Sequence, residues 1–252
     1  MLKRIRCKGF KSIREMDLEL GPINVLIGAN GSGKSNLVQL LGLLHYLALG
    51  RLQYFTRKRG GANALLHYGE GKSSGIEIEL TFSHENQAST YACTLAASDD
   101  GGLVIASEEG WVSSIERPHM KNNYFKSVGQ SETCLRKGLT PTTSEWSEVI
   151  QGLLEGIRTY HFDDTSPSSR LRQGCYADDN AFLRANGENI APVLYRLKNN
   201  FPKHFQRIQD TIRLAVPYFD GFELVVKPED ESVRLNWRQA GQDYLFRPFQ
   251  LP

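Results

Sequence analysis

The sequence contains no apolar run approaching the roughly 20 residues needed to cross a bilayer, which excludes a membrane-spanning protein. Its first residues, MLKRIRCKGFKS, alternate basic with apolar groups and lack the apolar stretch of a secretory signal, so the expected compartment is the cytoplasm. Cysteine is sparse. Cys7, Cys93, Cys134 and Cys175 are scattered and form no C-x-x-C pair, which argues against a zinc site or a disulfide framework and for free, mostly buried thiols. An excess of one charge is also missing: a net +2 over 252 residues does not identify a nucleic-acid binder, which needs Lys and Arg gathered on one surface. His45, His67 and His161 lack the spacing of a metal site or a catalytic dyad and read as packing or surface residues. Internal repeats and low-complexity segments are absent.

What is present begins as strand, loop and helix. Met16, Leu18 and Leu20 alternate with Asp17 and Glu19, and Gly21-Pro22 then punctuates. The short apolar run Ile23 to Ile27 predicts a strand covered on both faces, lying inside a mixed sheet. After a glycine-rich turn, Leu37, Leu40, Leu41, Leu44 and Leu47 fall at helical spacing and Gly50 supplies a stop.

The turn between them is GANGSGKS: Gly28, Ala29, Asn30, Gly31, Ser32, Gly33, Lys34 and Ser35. It fits the P-loop pattern G-x4-G-K-S/T in the strand-to-helix context that the motif requires. Glycines let the backbone turn tightly and aim its N–H groups inward, and the positive end of the following helix favours phosphate charge. Lys34 is expected on the β- and γ-phosphates of ATP, and the Ser35 hydroxyl on Mg²⁺.

Further along, Ile76, Ile78, Leu80 and Phe82 alternate with Glu77, Glu79 and Thr81, and two more strands are expected at about 90–96 and 102–107. Together they predict an antiparallel β subdomain over about 74–115. Residues 116–141 show no periodicity and read as an irregular insertion. Helical spacing returns at Ile190, Val193, Leu194 and Leu197 and at Phe201, Phe205, Ile208 and Ile212, giving a helical region at about 187–216; strand-like alternation closes the chain. The expected fold is α/β: one P-loop domain spanning 1–252, with a P-loop core at 1–50, the antiparallel subdomain and the helical insertion.

GANGSGKSN, with Asn30 and Asn36, preceded by FKSI at Phe10 to Ile13, resembles the ABC-type P-loop ATPases, and within them the RecF/SMC-like branch and the overcoming-lysogenisation ATPases of bacterial defence. YHFDDTSPSSRLR (Tyr160 to Arg172) and NGENIAPVLYRL (Asn186 to Leu197) are similar to the same group. The resemblance implies ATP hydrolysis in a homodimer or higher oligomer, a possible effector nuclease subunit, and action on DNA. It also implies that Lys11, Ser12 and Asn36 approach the nucleotide and that Gln173 senses the γ-phosphate and Mg²⁺.

The resemblance further implies a signature motif, Walker B acids and a switch histidine, none of which is visible. LVIASEE (Leu103 to Glu109) reads as an exposed strand end before it reads as a catalytic pair, and Asp163-Asp164 as the lead into a loop. Arg57-Lys58-Arg59 reads as a solvated face before a DNA or phosphate contact. The alternatives to a dimeric ATPase head are a non-catalytic, nucleotide-dependent interaction module and an ATPase fragment completed by another polypeptide. A transporter subunit is disfavoured by Asn36 after Ser35, and a small-molecule kinase by the two strands before the P-loop.

Overall fold

The computed structural model describes residues 1–84, 87–114, 117–135, 145–160, 162, 166 and 168–248. The chain divides into two compact units, 1–158 and 159–252.

In the first unit, strands β1 (Leu2–Phe10) and β2 (Ile13–Glu19) precede helices α1 (Lys34–Ala48), α2 (Leu52–Lys58) and α3 (Ala62–Leu65). Strands β3 (Ile76–His84), β4 (Gln87–Ala97), β5 (Leu103–Ser114) and β6 (Arg117–Gln130) follow, then α4 (Glu145–Glu155). The six strands form one sheet in the order β2-β1-β3-β4-β5-β6, and every neighbouring pair is antiparallel. The alternation of MLKRIRCK has a direct structural meaning. Ile5 and Cys7 point into the core, while Arg4 and Arg6 reach Asp17 on β2 and Arg6 also reaches Glu79 on β3, at 2.6, 3.1 and 2.8 Å. The Arg4 guanidinium holds the Asp17 carboxyl down at about 2.

Against the inner face of the sheet lies α1, whose Leu37, Leu40, Leu43, Leu44 and Leu47 join Ile5, Ile76, Ile78, Leu80, Tyr91 and Leu95 in one core. Each leucine so buried contributes about 1.5–3 kcal/mol relative to exposure. Gly50, at φ +61, ends α1 as expected. Cys7, Cys93 and Cys134 are buried and Cys175 is half-buried, all as free thiols; burial pushes the Cys7 thiol up to about 12.

Two expectations fail here. Ile23–Ile27 belongs to no strand, and Ile23, Val25, Leu26 and Ile27 are 86, 76, 44 and 91% exposed. Residue type alone does not make a strand: a ladder needs a neighbouring backbone, and among the described residues nothing pairs with this segment, so the mixed sheet gives way to a wholly antiparallel one. The irregular insertion expected at 116–141 contains β6 instead. As the edge strand of the sheet, it is held by backbone pairing to β5, which needs no apolar periodicity. Residues 136–144 of that insertion lie outside the described residues.

The second unit contains β7 (Cys175–Tyr176), helices α5 (Ile190–Asn200) and α6 (Pro202–Ala215), and the short strands β8 (Phe219–Glu223), β9 (Ser232–Val233), β10 (Asn236–Gln239) and β11 (Leu245–Phe246). Pro202 opens α6, where its missing N–H costs nothing. Leu194 of α5 and Phe205 of α6 pack with Leu224, Val233 and Leu235 in a separate small core, the packing the helical periodicity predicted.

Glu108 overturns its expected place at an exposed strand end. It sits within β5 opposite Cys93 and is fully buried. Its carboxylate accepts hydrogen bonds from the Tyr91 and Thr133 hydroxyls and the Cys134 N–H, the first and last at 2.8 Å. Next to it, the Glu132 carboxylate accepts the first amides of α2, Leu52 N–H at 2.8 Å and Gln53 N–H at 3.1 Å. Residues 131–135 thereby fasten α2 to the sheet. Glu108→Ala would remove the carboxylate that accepts from three buried donors, and chemical denaturation should show a loss of about 3 kcal/mol. Glu108→Gln, which keeps one acceptor oxygen, should lose less.

Candidate phosphate-binding site

The site is built on the start of α1. The Asn24 side chain bonds both the N–H and the carbonyl of Gly21, closing the Gly21-Pro22 turn at 2.9 and 3.0 Å. The chain then runs without regular secondary structure to Gly28 and turns through Gly31 and Gly33, at φ +85 and +94. Such angles belong to glycine, because a side chain there collides with its own backbone. The Gly33 carbonyl accepts the Asn36 and Leu37 amides, both at 3.0 Å, which starts the helix. Among the described residues no side chain caps α1, whose N-cap is Gly33, and its first turn holds no acidic residue. A helix start of this kind presents its leading N–H groups and positive dipole end to an anion.

Lys34 folds back over this loop. Its ammonium donates to the carbonyls of Gly28 and Ala29 at 2.6 and 2.8 Å and lies 3.4 Å from the Ser32 hydroxyl. Ser35, the second residue of α1, is exposed. A hollow of about 520 Å³ runs along the loop, bounded by Ser32, Gly33 and Lys34 on one side and by Ser12, Met16 and Leu18 on the other.

The FKSI turn is tied into this arrangement. The Asn36 amide donates to the Ser12 hydroxyl at 2.6 Å, joining the β1–β2 turn to α1. Lys11, at φ +49, donates its N–H to Leu65 O at 2.8 Å, and His67 Nδ1 lies 2.5 Å from Lys11 O. Burial, with the nearby Arg59 charge, lowers the pKa of the Lys11 ammonium. Lys11, Ser12 and Asn36 are therefore gathered beside the P-loop, although they are separated from it or from each other in sequence. His67, Asn63 and Tyr68 meet the same turn, and no periodicity around them signalled it.

The other sequence candidates belong to other segments of the chain. Gln173 belongs to the second unit, where it is exposed after a 3-10 turn at Arg170–Arg172, its Nε2 3.5 Å from Ser168 O. In that unit the two later segments of the resemblance come together: Arg170 pairs with Glu188 at 3.2 Å, and Gly187 leaves room for the Phe162 ring. Asn186 and Arg184 hold the Glu188 carboxyl down at about 2. The Asn189 side chain bonds Arg184 N–H and the carbonyls of Asp179 and Phe182, fixing the loop before α5. His161, Asp163 and Asp164 lie outside the described residues. Arg57, Lys58 and Arg59 form an exposed end to α2, with Lys58 over the Tyr54 ring and Arg59 over the Phe55 ring. No described helix is long and apolar enough to cross a membrane.

A glycine-rich turn feeding an uncapped helix, with a lysine returning over the turn, defines the class of P-loop nucleotide-binding proteins. Comparison with known sequences agrees: the AAA domain family matches residues 4–192, and the chain belongs to that family, in the RecF/SMC-like branch of P-loop ATPases related to OLD-type ATPases. The DNA replication and repair protein RecF of Renibacterium salmoninarum is 38% identical over 253 residues, covering 95% of this chain and 64% of that protein. The RecF protein of Magnetococcus marinus is 41% identical over 70 residues, 27% of this chain and 16% of its own. The OLD nuclease of Thermus scotoductus is 39% identical over 44 residues, 18% of this chain and 8% of its own. This chain thus spans less than two thirds of the Renibacterium relative.

Gly33 carries a test of the loop geometry. A Cβ there would lie 3.3 Å from the Ser12 hydroxyl at a φ of +94. Gly33→Ala is expected to lower unfolding stability by about 1–3 kcal/mol in urea. Gly71→Ala, at a position with ordinary φ and no neighbour within 4 Å, serves as the neutral control.

Proposed function

We propose that this chain binds ATP with Mg²⁺ at Gly28–Ser35 and forms the nucleotide-binding lobe of an ATPase that acts as a dimer in DNA-associated or defence-related work. The observation that carries the reading is the convergence of the uncapped α1 start, the Lys34 ammonium and the Ser12–Asn36 contact on one side of one loop. In this reading the loop amides hold the β- and γ-phosphates, Lys34 neutralises them, and Ser35 contributes its hydroxyl to Mg²⁺, which offsets charge across the phosphate oxygens. Gln173 is the candidate γ-phosphate sensor on the strength of sequence resemblance. The names of the relatives, a DNA replication and repair protein and an OLD nuclease, support a role near DNA and a nuclease partner.

Hydrolysis also needs a carboxylate to orient water and a group from a second subunit at the γ-phosphate. We place both on polypeptide beyond these residues, either in the same protein or in a separate chain. Two observations support this: the Renibacterium relative is longer, and the exposed Ile23–Ile27 segment has the composition of a strand that others cover. The alternative, a nucleotide-dependent interaction module without turnover, is favoured by one fact: Glu108, the best-placed acid in the Walker B lookalike, is already held by three internal donors.

Lys34→Ala removes a charge-assisted hydrogen bond of about 1.5–3 kcal/mol, so calorimetry with Mg²⁺ should show ATP affinity falling by about ten- to a hundredfold. Equal affinities for wild type and variant would remove Lys34 from the site. The 252-residue chain by itself should bind ATP with negligible phosphate release. Supplying the completing polypeptide should restore turnover, rising faster than linearly with protein concentration until dimers saturate. Robust first-order turnover by the isolated chain would overturn the assignment.

A further inference from the structure

A second hollow, of about 440 Å³, lies on the other side of Ser12 and is lined by Lys11, Ser12, Asn63, Ala64 and Tyr68 among others. Ser12 borders both this hollow and the P-loop hollow. Tyr68 is the unusual member. It is 81% exposed, and its backbone sits at φ +55, a conformation that costs a non-glycine residue about 1 kcal/mol or more. A glycine at this turn position would avoid both the strain and the exposed ring.

The turn that presents Tyr68 is rigidly attached. Leu66 bridges to Phe10, the His67 N–H donates to Gly9 O at 2.8 Å, and Lys11 N–H donates to Leu65 O at 2.8 Å. Asn63 fixes the far side, its Oδ1 accepting the Glu70 N–H at 3.0 Å. The His67 ring meets the Tyr68 ring edge-on, with centroids 4.4 Å apart. A large aromatic surface is thus held open to solvent on a segment zipped to the same turn that Asn36 ties to α1.

We infer that Tyr68 is the stacking platform for the base of the nucleotide whose phosphates occupy the P-loop, with Lys11 and Ser12 lying between base and phosphates. The inference rests on the phosphate-binding reading of Gly28–Ser35 and adds the base subsite to it. Stacking depends on the area of the π face, so the platform favours purines over pyrimidines and separates adenine from guanine only weakly. The Asn63 side-chain amide borders the same hollow and offers N–H groups to a base edge.

The test compares Mg²⁺-dependent binding of ATP, CTP and inorganic tripolyphosphate to the 252-residue chain and to its Tyr68→Ala, Tyr68→Phe and Lys34→Ala variants. Tyr68→Ala should weaken ATP by about tenfold, weaken CTP less, and leave tripolyphosphate unchanged; Tyr68→Phe, which keeps the ring, should retain ATP affinity. Lys34→Ala should weaken all three ligands. Unchanged ATP binding by Tyr68→Ala overturns the platform while leaving the phosphate site standing, and so does an equal loss for ATP and tripolyphosphate, which marks a purely structural role. If wild type binds neither ATP nor tripolyphosphate, or Lys34→Ala has no effect on either, the phosphate-binding reading falls and the base platform falls with it.

Discussion

The leucine face of α1 packed on the antiparallel sheet is the interaction on which the site depends. The turn proposed to hold phosphate leads into the first turn of that helix, so its position is set by Leu37, Leu40, Leu43, Leu44 and Leu47 seating against β1, β3 and β4. Neither the glycines nor Lys34 can fix where an anion is held. They shape a loop whose location in space is decided several residues further on, by apolar burial. The Ser12–Asn36 hydrogen bond adds a second anchor, and it ties the loop to the sheet at the β1–β2 turn.

Much of this was legible in the sequence, for physical reasons that differ between elements. The α1 stripe and the alternation at Ile76 to Phe82 carry strong periodicity because each buries a single face. The P-loop is legible because its backbone angles demand glycine at Gly31 and Gly33 and its charge demands Lys34. What failed to show were features set by distant neighbours. Ile23–Ile27 has the residues of a buried strand, but a strand is a relation between two backbones and the sequence names only one of them. β6 has no apolar rhythm, and its existence follows from the hydrogen-bonding edge that β5 offers. The enclosure of Glu108 depends on Tyr91, Thr133 and Cys134, residues 17 to 26 positions away that no local pattern connects to it. Tyr68 was missed for the same reason: its turn becomes part of the site only through pairing with residues 9–11.

The sheet also divides its two faces sharply. Apart from the buried Glu108, its inner face is largely apolar and covered by helices, whereas Arg4, Arg6 and Lys8 on β1 meet Asp17, Glu15 and Glu79 across the outer face. These pairs are partly exposed, and each adds little stability. Their effect is on register: a one-residue slip of β1 would turn the arginines into the core and Ile5 and Cys7 out to water. The basic residues near the N-terminus therefore act as alignment marks for the hairpin that carries Lys11 and Ser12.

The exposed Ile23–Ile27 segment has a colloidal consequence. From Gly21 to Gly33 the chain bears no charged side chain, and within it Ile23, Val25, Leu26 and Ile27 lie exposed and outside any strand. Short uncharged stretches of this composition seed intermolecular β-pairing. Gly21-Pro22 before the stretch and the glycine-rich turn after it keep the sticky length short, which limits how far such pairing can spread along the chain. The glycine-rich loop thus adjoins the part of the surface that sets how concentrated a solution of this chain can become before it self-associates.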